Sequence, residues 1–272
     1  MSLCFISSNI SLQIISSLNT KRSHQERIED QEIEKETKKS ADQFKISITK
    51  FVNDCEKYKI KEIKIKKICD QYGFQRRRFY DVLNVLESVG CCTKLNTDVV
   101  LWQGLSNIPY SLEILQHTHK VDLVSSTLED IFTDQQNIKI SNLTEMLMLC
   151  FLVMRVYTLD IKHVAIFLSR YNNRYKTTLC KLYQVTHILE SAGIISKTFV
   201  PCVFTLNKEF VRFVDIRIQD EENPLSLVNL LNDHSSTGSL AIEERRVHFF
   251  LGYKKIESRP YHYRTKIPYL IV

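Results

Sequence analysis

Residues 75–90 constrain the chain most, because they place a row of arginines at the start of an amphipathic helix. Arg77 and Arg78 fall on one face, and Asp81 follows them by four and three residues, close enough to orient them. The opposite face carries apolar residues at steps of three and four, namely Phe79, Val82, Leu83, Leu86 and Val89. An arginine pair held in this way suits the O6 and N7 acceptors of guanine, which indicates recognition of DNA in the major groove.

Composition predicts a helix-dominated protein with room for two domains. The chain has 272 residues, is 44% apolar, and contains only 6 glycines and 5 prolines. Its net charge of +6 permits a polyanionic partner. Residues 41–106 hold 12 Lys and Arg against 8 Asp and Glu, and residues 141–206 hold 7 against 3. Between these basic blocks, residues 107–140 hold 2 against 5, which makes an acidic spacer.

Several classes of protein are disfavoured. None of the eight cysteines forms a Cys-x-x-Cys pair, so we expect neither disulfides nor structural zinc. This pattern indicates a reducing intracellular compartment. The first 20 residues lack the basic start of a secretion signal, and no apolar run is long enough to cross a bilayer. His117 and His119 have no third ligand, and no phosphate loop or nucleophile motif occurs. We therefore expect no enzyme, no metal site and no cofactor.

An internal repeat is the second strong signal. A shift of 103 residues places the arginine helix on residues 180–193. Seven residues recur as Tyr80 and Tyr183, Val82 and Val185, Leu86 and Leu189, Glu87 and Glu190, Ser88 and Ser191, Gly90 and Gly193, Lys94 and Lys197. This recurrence predicts two copies of one small domain.

Each copy divides into three helices and a hairpin, the order of a winged helix-turn-helix. In the first copy we predict helices from 44–55, 64–72 and 75–90, a short strand in 58–63, and a hairpin of 92–95 with 99–102. Gly73 is expected to end the second of these helices. In the second copy we predict helices over 143–154, 160–170 and 177–192, a strand at 156–157, an N-cap at Thr158 or Asp160, and a hairpin of 194–200 with 202–206.

The predicted fold class is mainly α with small β-wings, as two tandem winged helix-turn-helix domains. The predicted divisions are a flexible arm (1–40), the first domain (41–106), the acidic spacer (107–140), the second domain (141–206) and an extension of unknown role (207–272). The spacer is too irregular for a sustained zipper. The aromatic and basic stretch 253–264 could stack on nucleic acid, but a strand packed on the second domain is the favoured interpretation.

The arginine helix resembles a known family. Residues 77–88 resemble the Arg-Arg-x-Tyr-Asp signature of the E2-factor and dimerisation-partner transcription factors, and 99–104 are similar to the wing strand that closes that domain. Residues 156–160, 174–177 and 181–183 are similar to the second DNA-binding domain of the atypical, tandem-domain members. The resemblance leaves both ends and the spacer unexplained.

The resemblance implies roles for particular residues of the first domain. Arg77 and Arg78 would contact G·C pairs in a TTT/G·C-rich promoter element, and Asp81 would orient them. Phosphate contacts would add affinity that weakens with salt. The candidate DNA-binding residues here are Arg76, Arg77, Arg78, Tyr80, Asp81, Asn84 and Lys94, of which Tyr80 equally suits a half-buried position at the helix edge.

The second domain departs from the family where the bases would be recognised. Cys180 and Lys181 replace the arginine pair, and Gln184 replaces the aspartate. It can therefore bind mostly DNA backbone, recognise a different base step, or contact protein, and we favour the backbone. Its candidate DNA-binding residues are Arg174, Lys176, Lys181, Tyr183 and Lys197.

The leading hypothesis is a nuclear, sequence-specific, double-stranded-DNA-binding regulator of transcription at cell-cycle promoters. The expected partner is double-stranded DNA, and no membrane or small-molecule substrate is expected. A dimerisation-partner-type protein or a second copy of the chain is an open alternative as a further partner. The alternative is a winged-helix scaffold or partner subunit that recognises no bases, within a larger nuclear complex. Exposure of the face that carries Arg77 and Arg78 distinguishes the two hypotheses, because a scaffold would cover that face with the spacer or the tail.

Overall fold

The structure is a computed structural model that describes residues 42–133, 137–213 and 234–257. The predicted arm, 1–40, lies outside these residues. The chain divides into two compact units, residues 1–47 and 48–272. The described part of the first unit is residues 42–47, the start of the first helix, and the contacts and sites discussed below lie in the second unit.

The first sequence repeat forms a helix, a strand, two helices and two strands. These are α1 (42–58), β1 (Glu62–Lys64), α2 (Ile65–Tyr72), α3 (Arg76–Ser88), β2 (Cys92–Lys94) and β3 (Val99–Trp102). The strands form an antiparallel sheet in the order β1-β3-β2. Gly73 ends α2 in the left-handed conformation, as predicted. The predicted strand in 58–63 begins only at Glu62, because α1 continues through residue 58.

Aromatic packing holds this repeat together around Phe51, which is fully buried. Its ring meets Phe79 edge-to-face at 5.3 Å and Trp102 at 5.8 Å, so α1, α3 and β3 share one core. Phe74 stacks on Phe79 at 4.9 Å, next to the start of α3. These contacts fix the orientation of the arginine helix relative to the hairpin.

The acidic spacer folds into short helical segments, the first of which lies against Gly90, just after the end of α3. A 3-10 turn (Leu105–Asn107) leads into α4 (Ile108–Thr118), and α5 (Leu128–Ile131) follows. Gly90 lies at φ +80°, and a Cβ there would clash with the side chain of Ser111. Only glycine therefore lets α4 approach the end of the arginine helix so closely.

The second sequence repeat forms elements in the same order. These are α6 (Ile140–Met154), β4 (Thr158–Asp160), α7 (Ile161–Leu168), α8 (Tyr175–Ser191), β5 (Ile195–Lys197) and β6 (Val203–Leu206). The strands form an antiparallel sheet in the order β4-β6-β5. The prediction of a strand at 156–157 is wrong, since β4 begins at Thr158. Of the two predicted N-caps, Asp160 caps α7 by accepting from the Lys162 amide.

The two repeats pack against each other through α6, which is apolar nearly all round and buried. The helix α3 packs on α6 and α8. Hydrogen bonds cross between the repeats, for example from the Thr49 hydroxyl to the Ser191 carbonyl and from the Ser88 hydroxyl to the Ser141 carbonyl. Val85 is also fully buried, although it lies off the apolar stripe that the sequence predicts for α3.

The C-terminal extension contributes a long helix, α9 (His234–Glu257). It packs on α6 and α7, with Phe249 against Phe167 at a ring distance of 4.8 Å. The prediction of a strand over 253–264 is wrong for residues up to Glu257, which are helical. The remainder of that stretch lies outside the described residues.

Three further observations concern the described residues. No helix among them is both long enough and apolar enough to cross a membrane. They contain no group of three or more His, Cys, Asp or Glu side chains placed to hold a metal ion. Their seven cysteines are free thiols, and burial raises the pKa of Cys55 and of Cys92 to about 12.

Candidate nucleic-acid interface

The N-terminus of α3 presents three adjacent guanidinium groups to solvent. Arg76, Arg77 and Arg78 are all exposed, while Phe79 behind them is fully buried. The first turn of α3 contains no acidic residue, and the N-cap Gln75 provides no side-chain cap. The positive end of the helix dipole therefore adds to three positive side chains, which makes this turn strongly attractive to an anion.

The hairpin holds Arg76 in place. Its guanidinium lies 2.6 Å from the carboxylate of Asp98 and 3.4 Å from the hydroxyl of Tyr80. Tyr80 in turn donates to the Thr97 carbonyl at 2.7 Å. The Tyr80 hydroxyl and the nearby Asp98 raise the pKa of Arg76. The hairpin is thus tied to the first turn of α3 by an exposed polar cluster.

Lys94 and Asn84 lie farther along the same helix–hairpin junction. The Lys94 ammonium lies 2.8 Å from the Glu87 carboxylate and also donates to the side-chain carbonyl of Asn84. The backbone amide of Lys94 donates to Glu87 at 2.9 Å. Both predicted DNA-binding residues therefore have partners within the protein, and their contact with DNA stays a prediction.

The exposed face of α8 is less cationic than that of α3. Arg174, Lys176, Cys180 and Gln184 are exposed there, and Lys181 is half-buried. The hairpin of the second repeat is also tied to its helix. Tyr183, Cys202, Lys197 and Glu190 form the two ties, with Tyr183 Oη 3.1 Å from Cys202 Sγ and Lys197 Nζ 2.9 Å from Glu190 Oε2. Burial, and then the bond to Cys202, raise the pKa of Tyr183.

The structure thus separates the predicted site residues into two groups. The outward-facing group contains Arg76, Arg77 and Arg78 on α3 and Arg174 and Lys176 on α8. The second group bonds to the neighbouring hairpin or helix, as Arg76 also does, and comprises Tyr80, Asn84, Lys94, Tyr183 and Lys197, while Lys181 is half-buried on α8. Asp81 is half-buried, and its bracing of Arg77 and Arg78 stays a prediction. Sequence reasoning did not predict that Asp98 pairs with Arg76. The position of Asp98 in the polar turn of the hairpin after the arginine helix was the one available indication.

The fold of residues 42–102 and its exposed basic helix define a winged-helix domain suited to DNA. Residues 43–104 match the sequence model of the winged-helix DNA-binding domain of the E2-factor/DP family. The expected resemblance of the first domain is therefore confirmed. That match covers the first repeat, so the assignment of residues 141–206 as a second such domain stays a prediction.

Three relatives are homologous to this chain. Transcription factor E2F7 of Danio rerio is 24% identical, over 50% of this chain and 22% of its own length. Two Arabidopsis thaliana proteins, the E2-factor-like transcription factors E2FE and E2FF, are 50% and 44% identical over 16% and 17% of this chain. The matches cover 11% and 13% of those two proteins, so the aligned region is a minor part of every relative.

Proposed function

We propose that this protein is a nuclear, sequence-specific DNA-binding regulator of transcription that acts at cell-cycle promoters. The outward-facing arginines of α3, within a region homologous to the DNA-binding domains of the E2-factor family, carry this proposal. Arg77 and Arg78 donate to guanine in the major groove, with Asp81 as their orienting carboxylate. The proposal requires no catalysis, cofactor or metal.

In this proposal α8 serves mainly to hold the DNA backbone. Lys176 and Arg174 are exposed at its start, but Cys180 stands where a base-contacting arginine would be needed. A cysteine cannot form the paired hydrogen bonds that identify guanine, whereas lysine attracts any phosphate. The second repeat thus adds affinity, and the first supplies most of the sequence preference.

Exposure of the arginine turn favours this function over a scaffold that recognises no bases. A scaffold has no use for three exposed guanidiniums, and the described parts of the spacer and the tail leave Arg76, Arg77 and Arg78 exposed. Apart from residues 42–47, both repeats also lie within one compact unit, residues 48–272. We infer that one chain binds one duplex without a dimerisation partner.

Replacement of the two arginines tests base recognition directly. We expect Arg77→Ala with Arg78→Ala to abolish discrimination between a TTT/G·C-rich duplex and a scrambled one, because each bidentate contact with guanine contributes about 1–3 kcal/mol. Fluorescence anisotropy on both duplexes measures the ratio of dissociation constants. Since both side chains are exposed, their loss removes no packing from the core.

Lys66→Ala with Lys67→Ala is the matched control, since it removes two exposed charges from the adjacent helix α2. This control should weaken binding to both duplexes while preserving the ratio. An equal loss on both duplexes for the arginine variant would contradict base recognition. Sedimentation of the wild-type complex should give one chain per duplex, and a mass corresponding to two chains would refute binding as a single chain.

A further inference from the structure

The hairpin between β5 and β6 ends in an exposed apolar tip. Phe199 is fully exposed, at 106% relative accessibility, and its neighbour Val200 is 47% exposed. The ring gains no stabilisation from burial, so the fold itself does not require an aromatic residue at this position.

The shape of this hairpin does not depend on the phenylalanine ring. The Thr198 hydroxyl accepts from the Val200 amide at 3.2 Å and donates to the Val203 carbonyl at 3.1 Å. The Thr198 amide also donates to the Val203 carbonyl at 3.1 Å. The turn is therefore closed by Thr198.

The first repeat uses the equivalent position differently. Asn96 lies 103 residues before Phe199, and its side-chain carbonyl accepts from the amides of Asp98 and Val99, both at 2.9 Å. In that hairpin the tip residue itself closes the turn. Because Thr198 performs this task in the second hairpin, the position of Phe199 is left free for an outward-pointing ring.

The tip is also held in a fixed relation to α8. The contacts of Cys202 with Tyr183 and of Lys197 with Glu190 join the hairpin to that helix on either side of Phe199. The helix exposes Lys176 near its start, and residues 141–206 carry 7 basic against 3 acidic residues. The second repeat thus carries a basic excess that favours a polyanionic partner.

We propose that Phe199 is a wedge that enters the minor groove of bound DNA and partly unstacks one base step. Phenylalanine is among the side chains that proteins insert in this way, and the insertion kinks the duplex. This inference rests on the proposed function, since α8 must first hold the backbone. Flexible pyrimidine–purine steps would be the preferred sites, because they unstack most easily.

Phe199→Asn is the most direct test of the wedge, since it gives the second hairpin the asparagine that the first hairpin has at the equivalent position, Asn96. The duplex is the TTT/G·C-rich one, with 2-aminopurine placed at successive positions in separate samples. Anisotropy gives the dissociation constant, 2-aminopurine fluorescence reports unstacking, and circularly permuted fragments report the bend. Leu240→Asn on α9 is the matched control, because Leu240 is another exposed apolar side chain, at 69%.

We expect wild-type protein to raise the fluorescence at one step and to bend the duplex by roughly 20–90°. Phe199→Asn should lose both signals and bind about tenfold more weakly, since base–aromatic stacking is lost. Leu240→Asn should behave like wild type. Tight binding by Phe199→Asn with an unchanged bend would overturn the wedge and leave the proposed function standing. Failure of the wild-type protein to bind any duplex would instead overturn both.

Discussion

Residues that recur 103 positions apart tie each hairpin to the helix before it. Lys94 pairs with Glu87 in the first repeat, and Lys197 pairs with Glu190 in the second. The hairpin of a winged helix is small and cannot be positioned by a core of its own. A charged pair at the junction therefore fixes the angle between hairpin and helix, which in turn sets how both reach a duplex.

We predict that Lys94→Met and Glu87→Gln each lower the free energy of unfolding by about 1 kcal/mol, since the pair is only partly exposed and also holds a backbone amide. The double variant should lose less than the sum, with a coupling of about 0.5–1 kcal/mol. Urea denaturation of the four proteins measures this cycle. Strictly additive losses would show that the tie has no energetic role.

The recurrence of these residues was visible in the sequence, but their use was not. Sequence reasoning assigned Lys94 and Lys197 to DNA because a lysine beside a basic helix commonly binds phosphate. A glutamate seven residues earlier on the helix gives no local signal of pairing, since the pair forms only when the hairpin folds back. Pairing of this kind depends on tertiary structure, so the periodicity of the sequence cannot predict it.

At the scale of elements, the sequence pattern did not predict helix α9, because the arginine that anchors the helix interrupts its apolar stripe. Its buried positions Ala241, Arg245 and Phe249 follow helical spacing, but an arginine interrupts the apolar stripe. Arg245 donates to the backbone carbonyls of Val121, Leu123 and Ser126. Burial, and then the nearby Arg155, lower the pKa of Arg245.

We predict that Arg245→Ala lowers the free energy of unfolding by about 3 kcal/mol, because it leaves a cavity and three carbonyls without their donor. Arg245→Lys should recover only part of this loss, since one ammonium cannot match the geometry of a guanidinium. Guanidinium denaturation of the full chain gives the values. Val247→Ala is the control on the same helix, 50% exposed, with an expected change below about 0.5 kcal/mol.

Equal losses for Arg245→Ala and Val247→Ala would contradict an anchoring role for the arginine.

The C-terminal helix α9 also packs on α7. Phe249 packs on Phe167 of α7, whose apolar residues are buried on nearly every side. The helix α7 therefore packs on α9 as well as on α8, which explains why the apolar run 164–168 is buried throughout.

For the whole molecule, sequence predicted the elements of each repeat better than their assembly. Apolar spacing located α3 and α8 closely, because each buries one face against its own repeat. Val85 lies off this spacing but is fully buried, and α3 as a whole also packs on α6 and α8 of the other repeat. Positions that contact a distant segment carry no local periodicity, so the packing between repeats required the structure.

Packing of the two repeats in one unit makes a prediction about how they share the work of binding. If α8 holds backbone, its lysines should contribute equally on every sequence. We predict that Lys176→Ala with Lys181→Ala weakens binding to the TTT/G·C-rich and scrambled duplexes by the same factor. The slope of log affinity against log salt should fall in magnitude by about 2, because roughly 0.9 counterions are released for each phosphate neutralised.

Anisotropy titrations at several salt concentrations on both duplexes give the slope and the ratio of affinities. Lys57→Ala with Lys61→Ala is the control, since both side chains are exposed and lie at the junction of α1 and β1, outside the two candidate helices. This control should leave the slope nearly unchanged. Lys181 is half-buried and occupies the position in the second repeat that Arg78 occupies in the first. A changed ratio of affinities for the two duplexes in the α8 variant would mean that Lys181 recognises a base. The division of labour between the two repeats would then have to be abandoned, while the role of the α3 arginines would stand.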